Sequence, residues 1–268
     1  MTNILNIFII LLSLSGLNGQ NNITKFRSAY QHGLNNTDLL SNSNDVSAIN
    51  PSIIPFQNKK LIAINSSMIY SDFGIASYSI GASIPFSKVY GSSLLIFGYG
   101  NNTFKQNSIA ASFSRILSRH LSIGIQQILQ NRKIKGNSSS YSATTSIAIT
   151  TRWHNWGLAL VTSGLLPINV NENQIPTLKL GVFLSIVDKT KILARVKYYS
   201  NSPISPSLGL TFPLLVQKLF STIAVQLNPT LYSFGINFKI RDRLKICISD
   251  QYHFQLGHWP AAGIEYDW

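Results

Sequence analysis

The feature that most constrains this chain is a period of two. In residues 140–153, Tyr141, Ala143, Ile147, Ile149 and Trp153 share one parity, while Ser140, Ser142, Thr144, Ser146, Thr150 and Arg152 share the other. In residues 177–187, Leu178, Leu180, Val182, Leu184 and Ile186 oppose Thr177, Lys179, Gly181 and Ser185, although Phe183 and Val187 blunt the contrast. In residues 231–240, Tyr232, Phe234, Ile236, Phe238 and Ile240 oppose Ser233, Gly235, Asn237 and Lys239. Side chains alternate across a strand, so each segment reads as a strand with one apolar and one polar face.

What the polar faces contain narrows the choice of sheet. They hold Ser, Thr, Gly and Asn rather than charge, and charged residues make up only 12% of the chain, roughly half the share usual in soluble domains. A soluble sandwich would expose more charge. A membrane barrel instead turns its apolar face to lipid and its small polar face to a crowded interior. No stretch after the first twenty residues holds the roughly 18 consecutive apolar residues that a spanning helix needs. Cutting the chain at its turn signals gives about fourteen strands, an even number as single-chain bacterial barrels have. The expected spans are 60–71, 73–86, 89–101, 106–118, 121–132, 139–153, 156–166, 176–187, 190–200, 204–214, 218–227, 231–241, 243–256 and 259–268. The fold expected is an all-β, antiparallel transmembrane barrel over residues 60–268 in a bacterial outer membrane, whose first partner is outer-membrane lipid.

The two ends of the chain fit that expectation. Ile4–Leu17 is a short apolar run with Gly19 as the small residue before a cut, so residues 1–19 read as a cleaved signal peptide. Residues 20–59 are rich in Asn and Ser, with turn signals at His32-Gly33, Asn50-Pro51 and Ile54-Pro55 and no sustained period. They read as short helical or irregular pieces forming a hatch or plug segment. The final segment puts Ile264, Tyr266 and Trp268 on one face. An aromatic terminus resembles the signal read by barrel-assembly machinery, which makes Tyr266 and Trp268 the expected assembly signal. Arg115 shares parity with Ile109, Ala111 and Phe113, so it needs an interfacial position or a bulge near Ser114–Ile116.

The net charge of +13 does not point to nucleic acid, because Lys and Arg are spread thinly and often sit at turns. A lone Cys247 can form neither an internal disulfide nor a metal set, and no cofactor is expected. Ser249, Asp250 and His253 cluster in sequence, but alternation sends Asp250 to the face opposite the other two. A triad needs mutual hydrogen-bond reach, so catalysis is not expected. Lys179, Arg195, Lys197, Lys239 and Lys245 fall on inward parity, with Glu265 and Asp267 as counter-charges. These are the candidate lumen charges.

The stretch Asn44–Ser52 follows Ala29 and Gly33 and directly precedes the first strand. Its Asp45, Ala48, Asn50 and Pro51 resemble the Asp-x-x-Ala-x-x-x-Asn-Pro-Ala-like pattern of the FadL-like superfamily, particularly its PorV/PorQ branch. Here Ser52 stands in place of the last Ala, and the Ala-to-Asn spacing is shorter. The resemblance implies an N-terminal hatch folded into the barrel. It also implies one of two roles. A PorV-like protein is an accessory subunit of a type IX secretion or related surface complex in the Bacteroidota, with a larger outer-membrane assembly as partner. A FadL-like one is a channel for small hydrophobic compounds. The lack of long loops favours the accessory role as the expectation from sequence.

Overall fold

The computed structural model describes residues 28–41, 47–57, 59–69, 74–168, 176–186, 189–199, 202–214, 218–240 and 243–268. The signal segment and Asp45 lie outside them. Fourteen strands follow one another along the chain. They are β1 (Leu61–Ile69), β2 (Ile75–Pro85), β3 (Tyr90–Gly100), β4 (Phe104–Ser118), β5 (Leu121–Ile134), β6 (Ser140–Arg152) and β7 (Trp156–Ile168). Then come β8 (Thr177–Ser185), β9 (Lys191–Tyr199), β10 (Ser205–Pro213), β11 (Leu219–Gln226), β12 (Leu231–Lys239), β13 (Leu244–His253) and β14 (Gly257–Asp267). Each pairs with its sequence neighbour, and β1 pairs antiparallel with β14, from Leu61 against Asp267 to Ser67 against Ala261. The sheet therefore closes and leaves no unpaired edge.

Alternation decides what each face meets. In β12, Leu231, Ser233, Gly235 and Asn237 are buried, while Tyr232, Phe234, Ile236 and Phe238 are exposed. The buried parity around the barrel is mostly Ser, Thr, Gly, Ala, Asn and Gln, and the exposed parity is Ile, Leu, Val and aromatic. This is the inverse of a soluble protein and the surface a bilayer requires. Aromatics gather at both rims. At the rim carrying both barrel ends, Phe86 and Phe113 flank Tyr90 at 6.2 and 5.8 Å, Trp153 stacks on Trp156 at 4.0 Å, and Tyr266 stacks on Trp268. At the opposite rim Tyr78, Tyr141, Tyr198, Tyr232 and Tyr252 point outward. Two aromatic girdles bounding an apolar band mark the two membrane interfaces.

Local irregularities occur where the residues demand them. Arg115 stays on the outer face near a rim, with its guanidinium 5.5 Å from the Tyr90 ring centre, and a register shift follows between Ile116 and Ser118. β6 and β7 slip against each other around Ala143–Ser146, where Gly164 adopts φ +81. A residue without a Cβ accommodates that positive φ at little cost. Ala143 keeps the parity of Tyr141, Ile147 and Ile149, opposite exposed Leu129 in the β5–β6 ladder, but its small side chain is covered by its neighbours and is only 7% exposed.

Candidate functional site

The N-terminal segment sits inside the barrel. A short helix α1 (Ala29–His32) begins at Ser28, whose Oγ accepts from the Gln31 amide. A 3-10 turn covers Pro51–Phe56, with Asn50 as its cap and Pro51 in its first turn, where a missing N–H costs nothing. Leu34, Leu39, Leu40, Ile53 and Ile54 are at most 1% exposed. This segment brings fully buried large apolar side chains into a lumen whose wall is mostly small or polar.

The wall holds this hatch by donating to its backbone. Ser249 Oγ donates to the Ala29 carbonyl (2.7 Å), Ser233 Oγ to Gly33 (3.0 Å), Ser122 Oγ to Ser52 (2.6 Å) and Gln126 Nε2 to Ala48 (3.2 Å). Arg195 donates to the Asn36 carbonyl, and Asn35 donates back to the carbonyls of Ala224 and Leu231. Irregular backbone inside a membrane protein is tolerated only when it is satisfied in this way. Contact is close at Gly124, where a Cβ would lie 2.5 Å from the Ser52 amide nitrogen, and equally close at Gly91, where it would lie 2.5 Å from Ile54 Cγ2.

Asn50 links two parts of the hatch to each other and to the wall. It is fully buried, donates to the Leu39 carbonyl (2.7 Å) and Thr150 Oγ1 (2.9 Å), and accepts from the Ser52 amide (3.1 Å) and hydroxyl (2.6 Å). Of the other motif residues, Pro51 opens the turn and Ala48 receives the Gln126 bond. A second knot escaped the sequence reading. Asp38 accepts from the Leu40 and Ser41 amides (2.9 Å each) and from Tyr30 Oη (2.8 Å). Lys245 Nζ rests 4.2 Å from the Tyr30 ring centre. Burial, and then the Asp38 charge, push the Tyr30 phenol well above its ordinary value. An Asp with amides two and three residues on is an Asx turn, and that spacing was the available signal.

The candidate lumen charges divide into two groups. Lys179 and Lys197 are direct cross-strand partners on β8 and β9, and Arg195 faces Gly181 one inward position deeper. Arg195 also donates to Gln226 Oε1 (2.9 Å), and Lys197 Nζ lies 4.2 Å from the Tyr199 ring centre. Lys239, Lys245, Glu265 and Asp267 lie instead at the rim of the barrel ends, where Lys239 opposes Lys245 and Lys245 opposes Glu265. Lys245 and Glu265 approach to 3.9 Å, and Asp267 meets Lys59 at 2.5 Å. The two carboxylates therefore do not serve Lys179, Arg195 or Lys197; parity assigns a face, but only register assigns a height. The lower group surrounds a cavity of about 380 Å³ that also touches Gln57 and Leu61. Several strands from the cationic wall, Leu95, Phe97, Ala110 and Ile128 form an inward apolar patch against Ala48 and Ile49.

The sequence cluster Ser249, Asp250 and His253 does not assemble. Ser249 bonds the hatch, whereas Asp250 faces outward and meets His258 Nδ1 at 2.5 Å.

A closed even-stranded barrel, an apolar band between aromatic rims and a lumen filled by its own N-terminal segment define a bacterial outer-membrane barrel with an internal hatch. Its fold is that of the FadL-type barrels. A Pseudomonas aeruginosa FadL homologue superposes with TM-score 0.68 at 10% identity, covering 90% of this chain and 98% of that one. The Ralstonia pickettii toluene transporter TbuX gives 0.66 at 9% identity, over 92% and 98%. The monoaromatic hydrocarbon channel CymD gives 0.64 at 10%, over 90% and 97%. No protein-family description and no curated protein matches the sequence. The likeness is one of fold.

Proposed function

We propose that this protein is a hatch-gated outer-membrane channel for small hydrophobic compounds, and that it accepts those carrying an anionic group. The observation that carries this reading is the plugged lumen: the hatch is bound to the wall by hydrogen bonds from separate side chains, Ser122, Gln126, Ser233 and Ser249 among them, each worth about 1 kcal/mol. Such a plug is fixed at rest yet can be displaced piecemeal. The apolar patch of Leu95, Phe97, Ala110 and Ile128 suits a hydrophobic body, and Lys179 and Lys197 suit a carboxylate. The fold shared with a toluene transporter and a hydrocarbon channel supports the same reading.

The test is uptake into proteoliposomes of labelled toluene and of a labelled long-chain carboxylate. Both should enter faster than into protein-free vesicles, and Lys179→Ser with Lys197→Ser should slow only the carboxylate. Uptake of neither probe above the protein-free rate would refute the channel.

A second reading is an accessory subunit of a PorV/PorQ type, binding a larger type IX secretion or surface complex. It is favoured by the short connections at both rims, such as His253 to Gly257 and Ser118 to Leu121, which leave little chain for a substrate-capturing lid. Stoichiometric recovery with a large barrel after gentle detergent extraction would support it, and recovery alone would count against it.

A further inference from the structure

The outer wall of β2–β6 is graded in a way that a neutral lipid contact does not require. Ladder partners arrange its outward side chains into three rows. The first row, Ile80, Ile96, Ile109 and Leu129, is wholly apolar and exposed. The next, one outward position along, runs Tyr78, Gly98, Asn107, Asn131 and Tyr141. Within it Tyr78 Oη reaches across Gly98 to donate to Asn107 Oδ1 at 2.8 Å, through space that a Cβ on Gly98 would occupy. The third row brings Lys105 directly opposite Lys133, both exposed, and exposed Lys135 follows in the turn. Each step along a strand between rows is about 7 Å, so the order is hydrocarbon, interface, then cation.

Like charges placed directly across a ladder destabilise it. The strands β3–β7 carry no acidic side chain to offset them, because no Asp or Glu occurs between Asp72 and Glu172. An amide-and-tyrosine row beneath a lysine pair matches the headgroup layer of a lipid, with phosphate at its outer edge. The rim is the one opposite the barrel ends, and therefore the outer-leaflet side of a barrel whose termini stay in the periplasm.

We propose that Lys105 and Lys133, with Lys135, form a binding site for the phosphate of an outer-leaflet glycolipid. Tyr78, Asn107, Asn131 and Tyr141 meet its polar sugar edge, and the row of Ile80, Ile96, Ile109 and Leu129 meets its acyl chains. The bound phosphate lies between the two ammonium groups and removes the repulsion across the β4–β5 ladder. It also makes the lipid a stoichiometric part of this wall, independent of what the lumen carries.

The experiment uses the full-length protein in phosphatidylcholine nanodiscs doped with lipid A carrying both phosphates, or with dephosphorylated lipid A. Retained glycolipid is counted by native mass spectrometry. Removing each lysine should weaken retention of the phosphorylated lipid by about 5-fold, and Lys105→Ser with Lys133→Ser together by about 25-fold, from the usual strength of a lysine at an anionic surface. Arginine at both positions should restore it, and dephosphorylated lipid A should bind wild type and variant alike. Heat-modifiable migration on a gel confirms that each variant is a folded barrel. Equal retention of phosphorylated lipid A by wild type and the serine variant would overturn the site. So would an equal loss for the dephosphorylated lipid. Inorganic phosphate alone displacing the lipid at equal concentration would overturn the assignment to a lipid.

Discussion

Replacing Asn50 by alanine should loosen the hatch without unfolding the barrel. The side chain caps the Pro51–Phe56 turn and holds Leu39 and Thr150, all in fully buried surroundings. Loss of the cap costs about 1 kcal/mol, and leaving the Leu39 carbonyl without its donor costs about 2 kcal/mol more. Some 3 kcal/mol shifts the balance between docked and displaced hatch by on the order of 100-fold. The barrel ladders are untouched, because Asn50 belongs to none of the strands. Planar-bilayer recording reads the effect as a rise of that order in the open fraction, with gel migration of the folded barrel unchanged. Asn50→Asp keeps the acceptor and loses the donor, so it should fall between the two. An open fraction equal to wild type in Asn50→Ala would refute the reasoning that these four bonds hold the hatch.

Three further outcomes follow from the same geometry. Gly124→Val places a side chain against the Ser52 amide and Pro51 carbonyl carbon, so it should displace the 3-10 turn and raise conductance more than the equivalent change at the open turn glycine Gly136. Tyr30, raised well above its ordinary value by burial and by Asp38, keeps its proton in the docked hatch after the displaced hatch would release it. Docking is therefore at full strength below about pH 10 and weakens as pH rises beyond that; open fraction should climb there in wild type and not in Tyr30→Phe. Trp268 stacks on Tyr266 at the closing strand, so removing Trp268 should lower the yield of folded barrel in the membrane while leaving the conductance of the assembled fraction unchanged.

Most of the barrel could be read from the sequence because its physics is local. A lipid outside and a packed lumen inside force a period of two, and the expected strand at 139–153 was found at Ser140–Arg152, that at 218–227 at Leu219–Gln226. Asn50-Pro51 was legible as a turn for the same reason. What could not be read was height and filling. Glu265 and Asp267 had the parity of Lys179 and Arg195 but lie at another level, and only the closure of β14 on β1 and β13 shows it. The hatch has no period because its backbone is satisfied by side chains scattered over the whole circumference, from Ser122 on β5 to Ser249 on β13. Inward glycines at 124 and 181 were the trace it left, since each makes room for a hatch residue.

The most direct test of the account is to tie the hatch to the wall. In a Cys247→Ser background, Thr37→Cys and Gly209→Cys join hatch and β10 at a site where a Cβ on Gly209 would lie 3.6 Å from Thr37 Cβ, a separation a disulfide spans. Toluene uptake into proteoliposomes is then measured oxidised and after reduction. A hatch-gated channel predicts uptake at the protein-free rate when oxidised and recovery when reduced. Equal uptake in the two states would show that the hatch does not gate passage.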